Sequence, residues 1–157
     1  MGRSVSVHLY YGFDFADIYD LFEMDDETYE YKNTPDWFDE DEGFAESLYN
    51  ALDEKLTVYP PQPEKPEDRN REYYLLRSEA ERRRGLEVLH NGWFEAEIYA
   101  ALSAKTFSEG ELPPDFAVYV TGWRVPEMDA RLWNAVKVLQ IPVGDQVPAW
   151  HLDYNFG

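Results

Sequence analysis

Between Asp14 and Glu42 the chain carries thirteen carboxylates against a single cation, Lys32, and threads them among Phe13, Phe15, Tyr19, Phe22, Tyr29, Tyr31, Trp37 and Phe38. Whatever this segment folds into must keep ionised groups in water while giving aromatic rings somewhere to be buried. The rest of the chain does not share this character. Residues 1–56 hold 16 acidic and 3 basic side chains (net −13), whereas residues 57–157 hold 16 acidic and 11 basic (net −5), which together give the formal charge of −18. A composition that is 44% hydrophobic and 17% aromatic is far from that of a disordered chain, so the charge is carried by a folded body.

A chain of 157 residues fits one domain, 1–157, and a domain of that length hides roughly 70% of its unfolded surface, enough for a core without staples. Cysteine is absent, which excludes disulfides, thiolate nucleophiles and cysteine-based zinc sites and makes the cytoplasm the expected compartment. Residues Met1 to Val7 lack the apolar run of a signal peptide. No stretch approaches the roughly 20 apolar residues of a membrane span, and anionic lipid repels an acidic surface, so no membrane association is expected.

Hydrophobic periodicity sets out the elements. Ser4–Tyr11 alternates, with Val5, Val7, Leu9 and Tyr11 on one face, and predicts a first half-buried strand. Phe44, Ala45, Leu48, Ala51, Leu52 and Leu56 follow helical spacing between Glu42 and Leu56, with acids at the amino end where the helix dipole favours them. A connector at 59–67, rich in proline, forbids regular structure. A second helix is predicted over Asp68–Arg84, with Tyr73, Leu76 and Ala80 on its inner side, arginines 82–84 at its carboxyl end and Gly85 as its stop. Strands are predicted at Leu86–His90, Ile98–Lys105 and Phe116–Thr121. A third helix opens at Pro126 with the stripe Met128, Leu132, Ala135, Val136 and Leu139, and a terminal strand carries Leu152, Tyr154 and Phe156. The expected fold is α+β, a small mixed or antiparallel sheet of 4–5 strands packed by 2–3 helices in a split β-α-β-like order, with the acidic aromatic segment 14–42 as an insertion.

Such an architecture hosts enzymes and inert binding modules alike, so function has to be sought in residues. His8, His90 and His151 each fall on or beside a predicted strand, and a shared sheet offers a pocket lined by Tyr10, His90 and His151, the basis of a small-molecule-binding or minor hydrolase reading. None of the histidines has a metal-ligand spacing. The loop from Asp36 to Gly43 fails the EF-hand register: with Asp39 at position one, Asn50 falls where a bidentate glutamate is required. Asp14, Asp17, Asp20 and Glu23 recur every three residues, which on a helix makes a drifting acidic ridge. No nucleophile elbow, P-loop or dinucleotide fingerprint occurs, and no catalytic residue, metal or cofactor is assigned.

Direct nucleic-acid binding is disfavoured, because affinity for phosphates comes from cations and this chain has the opposite sign. The expected partner is a basic protein, a nuclease or another nucleic-acid-binding protein, whose groove an acidic decoy would occupy as a DNA mimic. The residues expected to meet it are Asp25, Asp26, Glu27, Asp36, Trp37, Asp39, Glu40, Asp41 and Glu42. Duplex DNA places a charge about every 1.7 Å, whereas carboxylates on one helix stand about 5–6 Å apart, so the acidic segment and the helix after it would have to lie side by side. The competing explanation is that the charge only keeps a small protein soluble.

The opening Val7-His8-Leu9-Tyr10-Tyr11-Gly12-Phe13-Asp14 and the closing Ile141-Pro142 with Pro148-Ala149-Trp150-His151-Leu152 resemble small uncharacterised acidic proteins of actinobacterial phages. The resemblance covers the first strand and the final helix and strand, and brings no activity or catalytic residue with it. It implies a setting: a phage accessory or counter-defence inhibitor in the host cytoplasm, not an enzyme, or a structural component of the virion.

Overall fold

In the computed structural model, residues 4–15, 18–90, 96–108 and 125–156 are described. Their centre is a four-stranded antiparallel sheet of β1 (Ser4–Asp14), β4 (Glu87–His90), β5 (Ala96–Ser108) and β6 (Ala149–Phe156), in the spatial order β4-β5-β1-β6. The first strand is thus interior, paired along one side with β5 and along the other with β6. Every crossover that contains a helix returns to a strand separated from its predecessor by one antiparallel neighbour. The register shifts between Tyr11 and Gly12, where β5 carries an extra residue, and β1 continues to Asp14; Phe13, two residues on from Tyr11, joins it in the core.

Two helices cover that core. In α1 (Phe44–Leu56), Phe44, Ala45, Leu48, Ala51 and Leu52 are buried as their spacing predicts, and in α3 (Val125–Leu139) so are Met128, Leu132, Ala135 and Leu139. These helices pack on each other, and both lie against β5. Where they meet the sheet, Phe13 stacks on Phe15 and sets its edge against Trp133, with Ile98 and Leu132 fully buried nearby.

The intervening α2 (Arg71–Arg84) forms because Asn70 caps it, its side chain accepting from the Tyr73 amide at 3.0 Å, and because Gly85 ends it with φ 66, a left-handed conformation that glycine adopts without strain. None of its residues belongs to the central core. Tyr73 and Ala80 are its buried residues, and beside them its inner side is polar: the Arg84 side chain, only 3% exposed, reaches Thr57 Oγ1 at 2.9 Å, the Leu86 carbonyl at 2.9 Å and Asp53 Oδ1 at 3.5 Å. Tyr59 donates to Asp53 and lies 3.1 Å from Glu81, with Arg77 over its ring.

The α+β class expected from the sequence holds. Its strands divide between the four-stranded sheet and a separate ladder of β2 (Glu23–Met24) and β3 (Tyr31–Lys32), rather than all joining one sheet. Among the described residues no helix carries the acidic ridge: β1 runs on to Asp14, and Ile18–Leu21 makes only a single 3-10 turn before β2. Tyr73 and Ala80 are buried as their spacing predicts, but Leu76 is 51% exposed, because the inward stripe of α2 runs on through Arg77 and Arg84 and not through Leu76. The strand expected at 116–121 lies outside the described residues.

Candidate partner-binding surface

The acidic segment has an aromatic interior of its own. Phe22, Tyr31 and Phe38 pack on one another and on Tyr19, and Phe22 and Phe38 continue to Phe44 at the head of α1. Rings therefore turn inward and carboxylates outward, which resolves the opposed demands of the sequence.

The β2–β3 hairpin forms the first part of the surface. Asp25 organises its turn, with Oδ1 accepting from the amides of Glu27 at 2.8 Å and Thr28 at 3.0 Å and Oδ2 meeting Lys32 Nζ at 2.5 Å. The lysine, followed by these amides, holds the Asp25 carboxyl below its ordinary range. Asp26 and Glu27 at the tip are exposed. So is Tyr29, 74% exposed with φ 59, a left-handed conformation that costs a residue with a side chain about 1 kcal/mol.

The loop 36–42 forms the second part and is joined to the first, since Glu40 Oε1 accepts from the Tyr31 amide at 2.9 Å. Asp39 shapes the loop: its amide donates to Ser47 Oγ at 3.1 Å, its carbonyl accepts from the Gly43 amide at 3.0 Å, and its Oδ1 accepts from the Asp41 amide at 2.9 Å. The loop is fastened to α1 through Lys55 on Asp36 at 3.1 Å and Asn50 on Glu42 at 3.2 Å. Tyr19 adds a further tie by accepting from the Phe44 amide at 3.2 Å. Segment and helix thus lie side by side.

Of the nine residues singled out in the sequence, Asp25, Asp39 and Glu40 hold the backbone in shape. Asp26, Glu27, Asp36, Asp41 and Glu42 are exposed. Trp37 is turned into the structure, its Nε1 donating to the Leu139 carbonyl at 2.6 Å and its ring 5.6 Å from that of Phe44. The exposed ring of the surface is Tyr29, which the sequence grouped with the other aromatics. Its place between Thr28 and Glu30 at the end of an acidic run is the one signal that set it apart.

No protein-family model, curated protein or solved structure matches this chain.

The other candidate sites fare differently. Tyr10 and His151 are opposite one another on β1 and β6, their rings stacked 4.9 Å apart, and His151 Nε2 lies 3.1 Å from the Gly12 carbonyl. His90 is on β4, at the opposite edge of the sheet and three strand spacings or about 14 Å from β6. Among the described residues no group of three or more histidine, aspartate or glutamate side chains is placed to hold a metal ion. Arg82 and Arg83 both pair with Glu79, at 2.6 and 3.2 Å, and lower its pKa. Among the described residues no helix is long and apolar enough to cross a membrane.

Proposed function

We propose that this chain is a non-enzymatic binding protein, a phage accessory or counter-defence factor, whose hairpin and acidic loop engage a basic nucleic-acid-binding protein of the host as a decoy for nucleic acid. The observation that carries the reading is that the carboxylates are displayed on a fixed backbone. Glu40 ties the loop to the hairpin, Asp25 and Asp39 close their turns, and Ser47 secures the loop to α1.

A charge coat that only maintains solubility needs none of this order. A decoy does, because affinity gained from charged contacts is lost again if the display has to be ordered on binding. The contact between the acidic segment and α1 adds the second row of charge that one helix lacks. Tyr29, exposed on the hairpin tip, supplies the kind of aromatic anchor that dominates interface energetics.

The test uses a basic nucleic-acid-binding protein recovered from host lysate at low salt and then purified. Labelled chain bound to it is challenged at fixed ionic strength with duplex DNA or with polyglutamate. Duplex DNA should displace the chain and polyglutamate, which has the charge without the shape, should not. Changing Asp26, Glu27, Asp41 and Glu42 to Lys should weaken binding by about tenfold or more without altering the fold. Binding that ignores both the DNA and the charge reversal would refute the reading.

A further inference from the structure

The acidic surface has a counterpart on the same molecule. Five of the chain's fourteen cations are on α2, which carries five arginines against three glutamates and is the cationic helix of a protein with net charge −18. Arg77 and Arg84 face inward, over Tyr59 and against Thr57, whereas the Arg82 and Arg83 side chains are 78% and 77% exposed and share a single glutamate, Glu79, which leaves a positive charge in excess there. Beside them three consecutive large apolar residues stand in solvent: Tyr74 at 54%, Leu75 at 59% and Leu76 at 51%. A helix with a net positive charge and a run of exposed apolar residues is suited to a surface that is apolar and anionic.

The hairpin is such a surface. Met24 is 49% exposed and Tyr29 74%, and between them stand Asp26 and Glu27. We propose that α2 of one copy docks on the β2–β3 hairpin of a second copy, its leucines against Met24 and Tyr29 and its Arg82 and Arg83 against Asp26 and Glu27. A symmetric pairing of α2 with α2 is the poorer solution, because it brings together two helices of net positive charge.

Two different patches make the contact, so copies join either as a reciprocal pair, each helix on the other's hairpin, or head-to-tail, each copy using its helix on one neighbour and its hairpin on the next. The overall charge of each copy opposes approach, but at physiological ionic strength that repulsion is screened beyond about 8 Å, while ion pairs formed within the contact are screened much less. The interaction is an equilibrium of the purified chain with itself and needs no basic partner, so it stands or falls separately from the decoy reading.

Sedimentation of the full chain at about 0.15 M salt, over about 10 µM to 1 mM, tests it. The natural sequence should associate progressively as concentration rises. One variant carries Arg82→Glu with Arg83→Glu, and another carries Asp26→Lys with Glu27→Lys; all four positions are exposed. Each variant alone should remain monomeric at concentrations at least tenfold above the natural midpoint, with circular dichroism confirming the fold. An equimolar mixture should associate again, because every hairpin then meets a helix of opposite charge. A natural chain that is monomeric throughout, a variant that associates like the natural chain, or a mixture that stays monomeric would each overturn the proposal.

Discussion

The indole Nε1 of Trp37 donates a hydrogen bond of 2.6 Å to the carbonyl of Leu139, the last residue of α3. Carbonyls in the final turn of a helix have no partner within it, so the acidic loop satisfies a group that α3 leaves open. The bond also fixes one end of the loop to the core helix. Trp37→Phe keeps most of the ring packing and removes the donor, leaving a partly buried carbonyl without it. A loss of about 1–2 kcal/mol is expected in urea unfolding, and an unchanged midpoint would show the bond to be dispensable.

The Arg84 side chain holds the junction of α1, the proline connector and α2 while only 3% exposed. Removing its guanidinium takes the donor from the Leu86 carbonyl and the cation from Asp53, and leaves Thr57 Oγ1 only its bond to the Leu52 carbonyl. Arg84→Ala should therefore destabilise the protein by about 2–4 kcal/mol, whereas Arg83→Ala, whose side chain is 77% exposed, should change it by less than about 0.5 kcal/mol. Equal effects of the two substitutions would contradict the distinction.

Some of this was legible in the residues and some was not, for physical reasons. The amphipathic periods of α1 and α3 and the alternation of β1 report burial directly, since one buried face is all that each pattern encodes. In the acidic segment, acid and aromatic succeed one another without a single period. Which rings go inward is decided by the pairing of Met24 with Tyr31 and by the fold-back of Phe38 onto Phe22, which are contacts between separated residues. Trp37 read as a partner contact for the same reason: its acceptor is 102 residues away in sequence. Leu76 read as inward because helical spacing treats arginine as an outward residue, and on α2 the inward positions include Arg77 and Arg84.

Asp25 should titrate below the ordinary aspartate range, since Lys32 and the Thr28 and Glu27 amides all favour its ionised form. A folded pKa lowered in this way contributes stability that is present above the unfolded value of about 3.9 and is lost as pH falls through the folded value. The hairpin tip should thus keep its shape through mild acid and loosen only below about pH 4. Carboxyl carbon resonances measured against pH would show the low midpoint, and Lys32→Met should move it upward. A midpoint at or above the ordinary value would mean that the Lys32 contact does not persist in solution.

Tyr11 presents the opposite sign. Its hydroxyl donates to Asp129 Oδ1 at 2.5 Å, and burial, then this bond, then the aspartate's charge push its pKa up to about 12. Because the folded value lies above the unfolded one, the associated stability is complete below about pH 10 and is lost as pH rises towards 12. Asp129→Asn should lower the Tyr11 midpoint, which ring-carbon resonances of labelled tyrosine would follow. A Tyr11 that ionises at the ordinary tyrosine value of about 10 would exclude the bond between β1 and α3.

Tyr29 allows folding and binding to be separated at one residue. It holds a left-handed conformation while 74% exposed, so its side chain gives the fold little in return for the strain. Tyr29→Gly relieves that strain and adds backbone freedom to the unfolded chain, effects of similar size and opposite sign, so stability should change by less than about 1 kcal/mol. The acids around it are untouched. If the ring anchors a basic partner, the glycine variant should bind it at least about tenfold more weakly with an unaltered salt dependence, because the loss is in packing and not in charge. Unchanged affinity in a folded variant would leave Asp26 and Glu27 on the hairpin, with the acids of the loop, as the binding determinants and remove the aromatic anchor from the proposal.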